Sequence, residues 1–201
     1  VGVRRKDKPL RARVCLVVLL AYLGVAVLMT WPLIANVKDH LPGPSNDNLH
    51  HYWNGWWMRR ALTTGQPLYH TPYLRYPDGI SLVSHDIAWF TVVSWMVLEP
   101  VLGGLVAYNW TILISLALCG MAAFALAYEL TGHVPSAFLA GLLYQNWPFR
   151  LYQPDHPNLV ATQWIPFFLL FLVRTMDEGR WRDGLLTGVF LALAGYTRWQ
   201  Q

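Results

Sequence analysis

Charge is scarce in this 201-residue chain: 13% of its residues are charged and 55% are hydrophobic. A soluble domain carries about 25% charge, so half the usual supply argues against a solvated globule. Intrinsic disorder is excluded as well, because disordered chains are weakly hydrophobic and strongly charged. Cysteine is nearly missing. Cys15 and Cys119 each sit inside an apolar run, which leaves nothing for a disulfide framework or a thiolate metal centre. Net positive charge is absent beyond the N-terminus. Residues 1–13 hold Arg4, Arg5, Lys6, Lys8, Arg11 and Arg13 against Asp7, while the rest holds nine Lys/Arg against ten Asp/Glu. A basic tail ahead of an apolar run is a membrane-topology signal and excludes a nucleic-acid-binding surface. No repeat, low-complexity tract or linker divides the chain.

What is abundant is long apolar sequence, with 11 tryptophans, most of them flanking the apolar runs where an amphipathic ring suits the headgroup layer. The pattern predicts an all-α, polytopic membrane bundle of about five transmembrane helices. The expected spans are 14–35, 105–130, 134–149, 159–173 and 184–199. The first ends in Trp31-Pro32 with no small-residue cleavage site, so it reads as a retained anchor rather than a signal peptide. Residues 87–98 are too short to span: twelve helical residues reach only about 18 Å against a hydrocarbon core of about 30 Å. They read as an interfacial or re-entrant helix closed by Glu99-Pro100. The Arg-rich segment 174–183 and the tail 1–13 then share the cytoplasmic side. The loops 36–104 and 150–158 face outward and contain His40, His50, His51, His70, His85 and His156, leaving only His133 on the inside. Five spans do not readily enclose a cavity, and the last residues stop where a span reaches the outer face. The chain therefore reads as the N-terminal part of a larger protein.

The first outer loop holds the best chemical candidates. Pro42, Gly43 and Pro44 break the chain, and Ser45, Asn46 or Asp47 can cap a helix running to about Leu62. On it Asp47, His50, His51 and Asn54 stand at i, i+3, i+4 and i+7, one polar face, with Leu49, Trp53, Trp56, Trp57 and Arg60 opposite. Such a helix suits the membrane surface. A carboxylate and two imidazoles on one face can hold a divalent cation or deprotonate a nucleophile; equally, Asp47 can be a helix cap and the histidines merely solvated. Asp155-His156, between Pro154 and Pro157 in the short outer loop, is the second candidate, against the alternative of a solvated turn. Glu99 is a third, with the end of the half-helix as its simpler reading. Asn109-Trp110-Thr111 matches a glycosylation acceptor but opens a span. Gly120 and Gly141 read as close helix contacts.

The order of these parts resembles the GT-C superfamily of membrane glycosyltransferases, and within it bacterial multi-spanning proteins. The matching elements are Asp47 followed by Trp53-Asn-Gly-Trp56, Tyr76-Pro-Asp-Gly79, Leu139-Ala-Gly-Leu-Leu143 to Pro148-Phe-Arg150, His156-Pro-Asn-Leu159 to Thr162-Gln-Trp-Ile-Pro166, and the G-R-W-R-D of Gly179 to Asp183. The resemblance implies transfer of a sugar from a polyprenyl-phosphate donor to an acceptor at the outer face of a bacterial plasma membrane. It implies Asp47 and Asp155 as the catalytic carboxylates, and His50, His51, His156, Arg59, Arg60, Arg75 or Arg150 as substrate-binding groups, the arginines on phosphate. A divalent cation, if used, would fall to Asp47, His50 and His51. The paired acids of the superfamily's other branches are replaced here by Asn46-Asp47-Asn48, which leaves metal dependence open. A non-catalytic membrane subunit that handles lipid or polymer is the alternative.

The charge pattern makes a direct prediction. Cysteine placed at position 70 is labelled by a membrane-impermeant thiol reagent from outside intact cells, and cysteine at 178 is not. Labelling of 178 from outside would overturn the span count.

Overall fold

A computed structural model describes residues 11–43 and 47–197. Helices dominate; the strands among the described residues are two of two residues each. Three helical segments are long and apolar enough to cross a membrane: 12–29, 104–131 and 157–178.

Helix α1 (Ala12–Met29) is apolar all round, yet it buries only Val18, Tyr22 and Ala26, one stripe at four-residue spacing, while Leu16, Val17, Leu20 and Leu28 are exposed. An apolar face that large is poorly suited to water and well suited to hydrocarbon. The helix ends six residues before the expected Ala35. Pro32 has no N–H to continue the ladder and disfavours a helical residue before it. Thr30 instead donates to Ala26 O at 2.8 Å, and a 3-10 turn follows at Leu33–Asn36.

Helix α2 (Asp47–Thr64) lies in the long segment between α1 and α4. A short hairpin follows, β1 (His70–Thr71) antiparallel to β2 (Ile80–Ser81). Helix α3 (Trp89–Leu102) covers about 21 Å and folds back along the next helix after one residue, Gly103, at φ 80°. Trp95 Nε1 braces that corner by donating to Gly104 O at 2.9 Å.

Helix α4 (Gly104–Thr131) is the pillar. It packs on α1 and α3, and on the later helices α5 (Val134–Gln145) and α8 (Trp164–Glu178). Its buried face is rich in small residues: Ala107, Ser115, Ala117, Cys119, Gly120, Ala122 and Ala123. Gly132, left-handed at φ 63°, ends it with its N–H on Tyr128 O. His133 then caps α5 by accepting from Ser136 N. Arg174 on α8 donates to Glu129 Oε2 from Nε at 3.0 Å and from Nη2 at 2.5 Å, so the C-terminal ends of α4 and α8 meet at one end of the bundle. Helix α9 (Trp181–Thr197) returns against α8, with Phe190 stacked on Phe167 and Phe171.

Two expected continuous helices are interrupted. The 134–149 segment stops at Gln145, breaks at Asn146-Trp147, and restarts as a four-residue helix α6 (Pro148–Leu151). The twelve residues of α5 cover about 18 Å. The 159–173 segment begins earlier, as α7 (Pro157–Val160), pauses at 161–163 and resumes as α8, which runs to Glu178. The short helices α6 and α7 each start on a proline, Pro148 and Pro157, where its missing N–H is not needed.

The helices approach closely at Gly120 and Gly141. Tyr22 of α1 lies between them: its hydroxyl donates to Phe138 O at 2.9 Å, and Gln145 Nε2 donates back to Tyr22 O at 2.8 Å. A Cβ on Gly120 would stand 2.7 Å from Gln145 Oε1 and 2.8 Å from the Tyr22 ring. Gly120→Leu is expected to cost about 1–3 kcal/mol by overpacking and to lower the melting temperature in detergent. Gly188→Leu on α9, with open space around it, should leave melting unchanged. Equal effects of the two would refute the close-contact assignment.

Candidate functional site

Residues 36–104, named the first outer segment only after the side that the charge pattern predicts for them, are fastened to α4. Asn109 Nδ2 donates to Val37 O at 2.8 Å and to His40 O at 2.7 Å, and Tyr108 reaches Asn48 Oδ1 at 3.4 Å. Asn48 in turn donates to Pro42 O. These bonds satisfy backbone carbonyls of an irregular segment that would otherwise be buried without partners. Asn109 is therefore a structural anchor, fully buried. Residues 150–158, named the second outer segment on the same predicted basis, are held by Arg150. It donates to Tyr144 O, to Gln145 O at 3.1 Å and to Thr162 Oγ1 at 2.5 Å, with its guanidinium carbon 4.8 Å from the Tyr144 ring centre. That ties α6 to the end of α5 and to the break before α8.

The two segments touch at Gly43. Its φ of +83° favours glycine, and a Cβ there would lie 3.1 Å from both Asp155 Cβ and Pro154 Cγ. Gly43 thus lets one backbone approach the other loop. Ser45 and Asn46, two of the three cap candidates, lie outside the described residues; Asp47 is the first helical residue.

His156 bridges the two candidate acids. Its Nε2 is 3.0 Å from Asp47 Oδ2 and its Nδ1 is 3.2 Å from Asp155 Oδ1. Asp155 is buried and Asp47 exposed. A neutral imidazole has one donor and one lone pair, so only the imidazolium makes both contacts hydrogen bonds to carboxylates. One ligand atom from each of Asp47, Asp155 and His156 lies within 4.8 Å of the others. Two oxygens and one imidazole nitrogen suit a divalent cation, which would substitute for the proton between the acids.

Three more histidines surround this centre. His50 and His51 are 5.2 Å apart, His50 stacks on His85 at 4.1 Å, and His51 meets His156 edge-on at 6.4 Å. His85 Nε2 contacts Asn54 Oδ1 at 3.0 Å, Asn54 donates to Asp86 O at 3.1 Å, and Asn158 donates to Asp86 Oδ2 at 2.5 Å. Burial lowers the pKa of His51 to about 3, with His50, His156 and His85 adding to the shift and Asp155 opposing it. Burial and His50 lower His85 to about 4. Burial also lowers His50, against the pull of Asp86 and Asp47. Buried imidazole atoms His50 Nε2 and His51 Nδ1 have no hydrogen-bond partner among the described residues.

Asp47, His50, His51, Asp155 and His156 therefore converge, as do Asn54, His85, Asp86 and Asn158. Sequence reasoning missed the last three. The run Ser84-His85-Asp86, directly before an apolar helix, was the available signal. The arginines do not join them. Arg59 and Arg60 lie about 18 Å along α2 from Asp47. Arg59 pairs with Glu99, which is accordingly an ion-pair partner on α3. Arg75 stands at the exposed hairpin tip, with φ 50°. Arg150 is committed to the loop that it holds. The metal grouping also differs from expectation: His156 and Asp155 join Asp47, in place of His50 and His51.

The expected surface helix is embedded instead. Trp57, Met58 and Ala61 are fully buried against Leu82, Ile87 and Val92, and Trp57 Nε1 donates to Leu68 O at 3.0 Å. The hairpin covers the tryptophan side while the two outer segments cover the polar side, so His51 and Asn54 are buried too.

A family described as Domain of unknown function (DUF6311) matches residues 12–198, nearly the whole chain. The chain belongs to this family. No curated protein and no solved structure matches it. The match covers both outer segments of this DUF6311 chain, and so the entire histidine–carboxylate cluster.

The lowered histidines fix a pH dependence. A group whose folded pKa is depressed stabilises the fold above its unfolded value of about 6.5 and loses that contribution as pH falls through the folded value. Melting temperature should be flat above pH 7 and fall between about pH 6.5 and pH 4. His85→Gln should flatten that slope, and a slope unchanged by His85→Gln would contradict the assignment.

Proposed function

We propose that this DUF6311 chain is a GT-C-like membrane glycosyltransferase, transferring a sugar from a polyprenyl-phosphate donor to an acceptor hydroxyl at the outer membrane interface. The observation that carries the reading is the meeting of Asp47 and Asp155, from two separate outer segments, on His156. The long apolar helices α1 and α4 and the 157–178 segment support a multi-pass protein, here placed in a bacterial plasma membrane with its N-terminus in the cytoplasm and about five spans.

A cavity of about 340 Å³ adds support. Met29, Leu33, Leu41, Ile112, Leu116 and Val160 line it, and it reaches Gly43, Pro154 and Arg150. Its apolar wall suits a lipid chain, and it ends beside the residues that carry the acids.

In transfer, Asp47 accepts the proton of the acceptor hydroxyl as its oxygen forms a bond to the anomeric carbon. The bond from that carbon to the phosphate oxygen breaks, and the phosphate keeps the electron pair. Asp155, buried, holds His156 in place, and His156 orients the Asp47 carboxylate. A divalent cation, when bound by Asp47, Asp155 and His156, would supply positive charge to a developing phosphate. The histidines His50, His51 and His85, clustered beside His156, would offer hydrogen bonds to sugar hydroxyls.

Positioned general bases contribute about 10²–10⁴-fold. Asp47→Asn in the full-length protein should therefore cut transfer from a polyprenyl-phosphate sugar in proteoliposomes by about that factor, with abundance and membrane insertion unchanged. Arg182→Gln, at the other end of the bundle, should transfer as wild type. Unchanged transfer by Asp47→Asn would remove the catalytic assignment and return Asp47 to the start of a helix.

A further inference from the structure

A second cavity, of about 350 Å³, lies between α2, α3 and the beginning of α4. Tyr52, Trp56, Arg59, Arg60 and Thr63 line it from one stripe of α2, Trp95 and Glu99 from α3, and Gly104 from α4. The α2 stripe is distinct from the face bearing Asp47, His50, His51 and Asn54, and its arginines lie about 18 Å along the helix from Asp47. We propose that this cavity binds a phosphate group, carried by an anionic lipid headgroup. The lipid source rests on the membrane placement proposed above; the phosphate chemistry does not.

Charge is the first argument. Two guanidinium groups face one carboxylate, and Arg59 takes it. Among the described residues no carboxylate pairs with Arg60. Its guanidinium carbon sits 5.7 Å from the Trp56 ring centre and 5.4 Å from that of Tyr73. Aromatic faces hold the plane in position but accept none of its in-plane hydrogen bonds, and Arg60 Nε is buried with no partner. A buried donor left unpaired is costly. A phosphate offers several acceptor oxygens to a guanidinium fork and satisfies it in the geometry that arginine favours.

The third positive element is the first turn of α4, a 28-residue helix that starts at the cavity. Its leading N–H groups have no intrahelical acceptors, and its N-terminal end carries partial positive charge. A Cβ at Gly104 would meet the Tyr52 hydroxyl, so the bare glycine lets that ring lie against the start of α4. The aromatic walls argue for a lipid source: Tyr52, Trp56 and Trp95 sit where a long apolar helix begins, the level at which headgroups lie against tryptophan and tyrosine.

Glu99 makes the proposal testable in both directions, because it competes with phosphate for Arg59. The full chain, purified into phosphatidylcholine nanodiscs, is titrated with short-chain phosphatidylglycerol and, in a parallel arm, with inorganic phosphate. Saturable binding of phosphatidylglycerol is expected, weakened at least tenfold by Arg60→Gln and strengthened by Glu99→Gln. Competition by millimolar inorganic phosphate would identify free phosphate as a sufficient ligand, whereas its failure to compete identifies the lipid headgroup. Wild-type affinity in both variants, or equal binding of short-chain phosphatidylcholine, would overturn the site. Because Glu99→Gln acts in the opposite sense to Arg60→Gln, damaged folding cannot imitate the expected pair of results. Loss of sugar transfer by Asp47→Asn tests a different cluster and leaves this result unaffected.

Discussion

Asn109, fully buried on α4, donates one amide group to two carbonyls of the first outer segment, Val37 O and His40 O. Ten residues further along the same helix, Cys119 meets Val160 O at the end of α7, just past the second segment. Irregular backbone can be packed inside a helical bundle only if its polar groups find partners there. The pillar helix supplies them, and so decides where both segments lie. The meeting of Gly43 with Pro154 and Asp155, and hence of Asp47 with His156, depends on this anchoring. The close contact of α1, α4 and α5 around Tyr22 keeps the pillar in register beneath it.

The site built on that anchor is unusual in its electrostatics. Four imidazoles and three carboxylates share a partly buried space, from α2, the turn before α3 and the second outer segment. Burial disfavours charged histidine, and neighbouring histidines reinforce this for His51 and His85. His156 is placed differently, between two carboxylates. The cluster therefore combines a ring of neutral hydrogen-bonding groups with one position suited to positive charge, whether proton or metal. That combination fits a polar, uncharged ligand portion next to a charged one, as in a sugar phosphate.

The arginines divide the molecule by task. Arg150 and Arg174 are struts: the first closes the second outer segment onto α5, and the second joins α4 to α8. Arg59 bridges to α3 through Glu99, a half-exposed pair whose net worth is about 0–1 kcal/mol. Arg60 is the exception, stacked by aromatics and lacking a carboxylate partner among the described residues. Charge in such an apolar chain is costly to bury, which is why three of these four guanidinium groups already have a partner carboxylate or carbonyl.

Part of the helical layout was legible in the residues. Run length is a local property, and it set both ends of α4 and α9 and the start of α1 to within a few residues, whereas α8 is displaced from the expected 159–173 at both ends. The polar face of α2 was legible for the same reason, since helical periodicity puts Asp47, His50, His51 and Asn54 side by side without reference to the rest of the chain. Local pattern could not show what would cover that face or its opposite. Trp57 looked like a headgroup anchor until the hairpin closed over it, and Arg150 looked like a phosphate ligand until Tyr144, Gln145 and Thr162 came within reach. The same limit hid His85, Asp86 and Asn158, which are far from Asp47 in sequence and join it only through long-range packing. The chain by itself determined which segments are apolar helices and which residues carry chemistry. Only the tertiary structure decided which of those residues meet, because their meeting rests on hydrogen bonds between segments about 40 to 110 residues apart.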